Sequence, residues 1–196
     1  MNSTLRLFLA IPIPEAVRAE LRRVQHELQP LIPPQVVRWA KPEQFHLTLK
    51  FLGNVPAADT GALSEAVRAV CAAASPLPLR AEGVGFFPNE SSPRVFWVEI
   101  KSVDGRLMEF QRQLERAVER FIEKPEAKKF TAHVTLARFE KLGRHETKKW
   151  TSRLSINQTY GEWTAREIEL VQSTLSPSGA VHAILGAFRI NCETFV

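Results

Sequence analysis

The sequence predicts an α+β fold in which helices cover largely antiparallel sheets, and three observations carry that prediction. Short apolar runs bounded by Pro, Gly and Asn recur along the chain. Three longer segments place apolar residues at the three-and-four spacing of an amphipathic helix. The two kinds of segment follow one another as strand, helix, strand, helix, strand, strand, helix, strand, which is not the strict alternation of a parallel sheet. With 196 residues, 44% of them hydrophobic and 24% charged, the chain can bury a substantial core, and one domain or two intimately packed halves are expected over 1–196.

Residues 5–11 form an apolar run ended by Pro12 and Pro14 and read as a buried strand. From Pro14 the period changes. Val17, Leu21, Val24 and Leu28 share a face, Arg18, Arg22 and Arg23 lie off it, and Pro30, Pro33 and Pro34 stop the helix. Residues 36–39 make a short strand and 45–52 a stronger one, closed by Gly53 and Asn54. A second helix over 58–74 carries Leu63, Val67 and Val70. Residues 77–87 and 94–100 then read as two strands around the turn 88–93. The clearest helix spans 104–124, with Leu107, Phe110, Leu114, Val118 and Phe121 on one face. A strand over 130–139 leads into a polar loop and short helix from 140. Two final strands are expected at 163–174 and 181–190, joined by residues 176–179.

No apolar run is long enough to span a membrane, the first residues lack a secretory pattern, and Cys71 and Cys192 are far apart. A cytoplasmic monomer with reduced thiols is therefore expected. The net charge of +5 is compatible with a polyanionic partner without establishing one.

One short pattern occurs twice. Phe45-His46-Leu47-Thr48-Leu49 is matched by Ala132-His133-Val134-Thr135-Leu136, almost half the chain later. Because side chains alternate along a strand, His46 and Thr48 share one face while Phe45, Leu47 and Leu49 take the other; His133 and Thr135 repeat the arrangement. A lone histidine in a strand is ordinarily structural. Two copies in equivalent contexts, using two of only five histidines, point to chemistry instead. His26, His145 and His182 lack such a context, although His182 lies in a strand that could line the same cleft. Two imidazoles suit paired acid and base work near neutral pH, and in-line displacement at phosphorus needs those groups on opposite sides. The threonine hydroxyls can donate to phosphate oxygens. No zinc ligand set, phosphate-binding glycine loop or nucleophilic serine elbow is present, so no metal and no cofactor is expected.

The two motifs, the opening run 5–11, the stretch from Arg38-Trp39 through Gly53, and residues 130–138 together resemble the two-histidine (2H) phosphoesterase superfamily. Within it the likeness is to the RNA 2′,3′-cyclic phosphodiesterases, also called 2′-5′ RNA ligases. The resemblance implies two antiparallel sheets with outer helices around a V-shaped cleft, related by a pseudo-two-fold repeat, each lobe supplying one motif. It implies hydrolysis of a terminal 2′,3′-cyclic phosphate to a 2′-phosphate on RNA ends or nucleotides, with 2′-5′ ligation as the accompanying reaction. His46 would be the acid and His133 the base. Thr48 and Thr135 would bind phosphate, and Arg138 would contact it or lie as an ordinary surface arginine. Phe51, in the equivalent place after the first motif, would stack on a base or belong to the core. Arg138 has the wrong strand parity to share a face with His133, so a bulge is required. Trp39 is expected to be structural, and Lys50 solvent-facing or just behind the site. Where family members often carry Pro before the second histidine and Tyr in the last strand, this chain has Ala132 and His182. Two other classes compete: a 2H enzyme acting on a small cyclic nucleotide metabolite, and an RNA-end binding module that needs no paired histidines. With protons handled by imidazoles, turnover should survive EDTA; loss of activity on chelation, restored by zinc or magnesium, would remove the two-histidine mechanism.

Overall fold

The computed structural model describes residues 3–123, 129–140, 158–176 and 179–191. The polar loop expected from 140 onward, His145 and Cys192 lie, beyond Glu140 itself, outside the described residues. In chain order the elements are β1 (Thr4–Pro12), α1 (Glu15–Leu28), β2 (Val37–Trp39), β3 (His46–Pro56), α2 (Thr60–Ala72), β4 (Leu77–Phe87), β5 (Val95–Ser102), α3 (Leu107–Val118), β6 (His133–Phe139), β7 (Thr159–Ala165), β8 (Glu167–Ser176) and β9 (Gly179–Arg189). They form two antiparallel sheets. One has the order β3-β1-β8-β9 and the other β2-β6-β5-β4-β7. Setting aside the edge strand β2, the two orders correspond strand for strand, with β3 matching β6 and β1 matching β5. The repeat seen in the motifs is thus a repeat of architecture.

The core-facing residues of both sheets, among them Leu7, Leu9, Leu47, Leu49, Phe96, Val98, Val134 and Leu136, belong to one continuous apolar cluster with the helices. In sequence α1 lies between β1 and β3, neighbours in one sheet, and it packs against β7 of the other; α3 lies between β5 and β6 of the second sheet and packs against β3 of the first. The α1–β7 approach is close enough that Gly161, at φ +136°, would place a Cβ 2.9 Å from Cγ2 of Val17. The opposite faces of the sheets carry the motif side chains, and β3 and β6 meet where those faces adjoin.

Three expectations need correction. The strand predicted over 163–174 is two strands in different sheets: β7 pairs with β4, and after Arg166 the chain crosses to β1 as β8. Neither Gly nor Pro marks that crossing. It is secured instead by Ile190 N–H donating to the Arg166 carbonyl at 2.8 Å. The strand β3 does not stop at Gly53, which at φ +71° pairs with Leu7 across a register shift at Leu52, and continues to Pro56. Lys50 is not solvent-facing. It is 7% exposed, on the core side of β3, and ion-paired with Glu115 of α3. The hydrogen bond and charge of Lys50 hold the Glu115 carboxyl below its ordinary range, against the opposing effect of burial.

Removing Glu115 would leave a buried ammonium without a partner. Glu115→Ala should lower stability by roughly 1–3 kcal/mol, less than for a fully enclosed pair because Glu115 itself reaches solvent. Replacing both groups, Lys50→Met with Glu115→Leu, should recover most of the loss in a urea titration. A double variant no more stable than Glu115→Ala would show that the lysine never depended on its partner.

Candidate active site

His46 and His133 open their strands in the same way. Each Nδ1 lies 2.7 Å from the carbonyl oxygen two residues earlier, Gln44 for His46 and Thr131 for His133. A carbonyl only accepts, so each Nδ1 carries the hydrogen, and in the neutral ring Nε2 holds the lone pair. Both imidazoles are thereby fixed in one tautomer with Nε2 left to take or give a proton.

Their surroundings are aromatic. His46 stacks on Phe8 with ring centroids 4.9 Å apart, and His182 stands edge-on to both, 5.4 Å from His46 and 5.1 Å from Phe8. His133 meets Phe87 edge-on at 5.0 Å and Trp97 at 5.8 Å. Trp97 lies so close over β4 that a Cβ on Gly85 would fall 2.2 Å from its Cζ2, so only glycine leaves room for the indole there. Burial is the main force on both histidines and disfavours their charged forms. It holds His46 down to about 4, helped by the charges of His182, His133 and Arg138 and opposed by the Gln44 hydrogen bond. His133 is lowered by burial and by Arg138, against the Thr131 carbonyl. β3 and β6 adjoin, so the two histidines and Arg138 are carried on neighbouring strands.

The register explains how Arg138 reaches it. In the β5–β6 ladder Phe96 pairs with Ala137 and Trp97 with Thr135, so Leu136 is an extra residue. In the β1–β3 ladder Leu9 pairs with Lys50 and Ala10 with Thr48, so Leu49 is extra. The same bulge therefore follows both motifs. It makes two successive side chains core-facing (Leu49 and Lys50, Leu136 and Ala137) and returns the next, Phe51 or Arg138, to the face of the histidine and threonine. Phe51, opposite Phe8, is 50% exposed. Thr48 lies opposite Ala10 and Thr135 opposite Trp97, on the same open faces. Trp39 pairs with Ala137 and packs against the core, a structural position as expected. His182, opposite Ser173 on β9, stands against His46 and Phe8.

At each bulge a buried glutamine donates to the carbonyl of the extra residue. Gln25 of α1, 2% exposed, donates through Nε2 to the Leu136 carbonyl at 2.9 Å and the Ala40 carbonyl at 2.8 Å. Gln111 of α3, 3% exposed, donates to the Leu49 carbonyl at 3.3 Å and to Glu115 Oε2 at 3.4 Å. Sequence reasoning missed both. The available signal was a glutamine on the apolar face of each amphipathic helix, beside Val24 in one and Phe110 in the other.

The family model described as LigT like Phosphoesterase matches residues 11–97 and 98–182, one motif in each match. The chain belongs to this family. Among curated proteins, the RNA 2′,3′-cyclic phosphodiesterase of Thermus thermophilus is 31% identical over 196 residues, spanning 96% of this chain and 92% of its own. That of Archaeoglobus fulgidus is 29% identical over 188 residues, spanning 94% of this chain and all of its own. A crystal structure of a protein from T. thermophilus superposes with a TM-score of 0.79 at 29% identity, covering 95% of this chain and 98% of that one. E. coli LigT complexed with 3′-AMP gives a TM-score of 0.76 at 22% identity, covering 96% and 99%, a likeness of fold. Among the described residues of this LigT-like chain, no three His, Cys, Asp or Glu side chains are placed to hold a metal ion, and no helix is long and apolar enough to cross a membrane.

The depressed histidines make stability depend on pH with a definite sign. His46 titrates near 6.5 when unfolded and at about 4 when folded. Between those values the unfolded chain binds more protons, so stability is full above pH 6.5 and falls as pH drops toward 4. His133 acts in the same direction. Denaturant titrations should show His46→Gln losing less stability than the parent over that window, by up to about 2–3 kcal/mol. Parallel pH profiles for parent and variant would contradict the burial of a neutral ring.

Proposed function

We propose that this chain is an RNA 2′,3′-cyclic phosphodiesterase, converting a terminal 2′,3′-cyclic phosphate to a 2′-phosphate. The observation that carries the reading is the matched pair of imidazoles, each locked with Nδ1–H on a backbone carbonyl and Nε2 left for proton transfer, on motif strands of two sheets that adjoin. The name borne by the relatives above supports the substrate class. The cytoplasm and RNA ends as partner belong to the same proposal.

In this reading His133 Nε2 takes a proton from water, whose oxygen attacks phosphorus. The bond from phosphorus to the 3′ oxygen breaks, and His46 Nε2–H delivers a proton to that oxygen. The product holds a 2′-phosphate and a free 3′-hydroxyl, and proton exchange with solvent resets the pair. His46 is neutral in the free protein at pH 7, because burial and nearby cations oppose its charge. An anionic phosphate reverses that local field and favours the imidazolium that the acid step needs. Thr48, Thr135 and Arg138 hold the non-bridging oxygens, where negative charge accumulates. Phe51, half exposed on the open face, offers a ring for base stacking, worth ~1–3 kcal/mol per base.

His46→Ala and His133→Ala should each lower turnover by about 10²–10⁴-fold, and the double variant should be far less damaged than the product of the two. A substrate whose leaving group needs no proton should rescue His46→Ala and leave His133→Ala inactive. Rescue of His133→Ala instead would exchange the roles, and singles of near-parental activity would remove both residues from the chemistry.

A further inference from the structure

We propose that Arg38 forms, beside Arg138, a subsite for the phosphate carried on the 5′ oxygen of the terminal nucleotide; the inference rests on the reading of the substrate as an RNA end. β2 is a three-residue edge strand whose outer members, Val37 and Trp39, pack against the core. Arg38 between them takes the opposite face and lies directly across the ladder from Arg138. Side chains facing each other in an antiparallel pair have Cβ atoms about 4.5–5.5 Å apart, and like charges in that relation destabilise a sheet. The fold gains nothing from two guanidinium groups so placed. An anion bridging or flanking them changes the sign of the interaction.

The pair is held by backbone that has little freedom. Ala40 N–H donates to the Leu136 carbonyl at 2.9 Å, and Glu140 N–H donates to the Val36 carbonyl at 3.1 Å. The buried Gln25 amide donates at once to Ala40 at the end of β2 and to Leu136 at the bulge that turns Arg138 outward. One side chain thus fixes both arginines relative to each other. The acid beside Arg38 is Glu140, 3.6 Å away, with both side chains 71% exposed. Exposed pairs of that kind contribute little, so a phosphate can displace the carboxylate. Guanidinium presents a planar fork suited to phosphate oxygens.

Substrate chemistry identifies the second anion. With the cyclic phosphate between His46, His133 and Arg138, the next phosphate along an RNA strand is the one on the 5′ oxygen of the same sugar. A nucleoside 2′,3′-cyclic phosphate lacks it, whereas every oligonucleotide end has it. Arg38 would therefore favour RNA ends over free cyclic mononucleotides.

The test compares adenosine 2′,3′-cyclic phosphate with its 5′-phosphorylated form, and adenosine 2′-phosphate with adenosine 2′,5′-bisphosphate. The first pair reads kcat/KM and the second reads Kd. In Arg38→Gln the preference for the 5′-phosphorylated member should fall about tenfold in both readouts. In Glu140→Gln the same preference should rise. An Arg38→Gln variant that keeps the parental preference, or loses affinity equally for both members of each pair, overturns the subsite. A parent protein that turns over neither cyclic phosphate yet binds the bisphosphate through Arg38 refutes the proposed activity and leaves the subsite standing.

Discussion

A β-bulge interrupts the regular ladder, and side-chain hydrogen bonds at the extra residue brace the backbone there. The orientation of the site depends on such bracing twice. The Leu136 and Leu49 carbonyls are met by Gln25 and Gln111, each reaching out of a helix that otherwise presents apolar residues. Without the extra residue in each strand, parity would bury Phe51 and Arg138 and expose Lys50 and Ala137. The Leu136 carbonyl accepts from Gln25 beside the Ala40 backbone N–H, and each such hydrogen bond contributes on the order of 1 kcal/mol. The glutamines therefore stabilise an irregularity, and the irregularity aims the side chains.

The same two bulges also explain an otherwise costly feature of the core. Turning Phe51 outward turns Lys50 inward, and an ammonium in that position needs a counter-charge. α3 supplies Glu115 one turn after Gln111, so one helix face satisfies both the bulge carbonyl and the lysine it buries. In the other half the equivalent of Lys50 is Ala137, which asks for nothing, and Gln25 directs its second N–H to Ala40 at the edge strand. The halves share a backbone device and differ in the use made of its spare hydrogen bond.

Much of this was legible in the residues. The two motifs, their shared face and the need for a bulge before Arg138 follow from the period of a strand. The helices follow from their apolar spacing, and α3 differs from expectation only at its ends. What escaped was decided by tertiary context. Lys50 reads as a surface charge until the bulge reverses its face, and the bulge leaves no Gly or Pro to announce it. The crossing at Arg166 is silent for the same reason, since Ala165, Arg166 and Glu167 would suit one continuous strand. Gln25 and Gln111 look like tolerated polar interruptions, and only the position of a carbonyl more than sixty residues away in each case gives them a purpose.

The crossed placement of the helices bears on how such a protein could have arisen. The stretch containing His46 depends on a glutamine from the later half, and the stretch containing His133 on one from the earlier half. A solitary half-length ancestor would have carried a motif and a helix with no means of joining its own glutamine to its own bulge. Two identical copies exchanging helices would have met the requirement symmetrically, as a domain-swapped pair. Gene fusion would then have made that exchange permanent, and only afterwards could the two copies diverge into a lysine on one side and an arginine edge on the other.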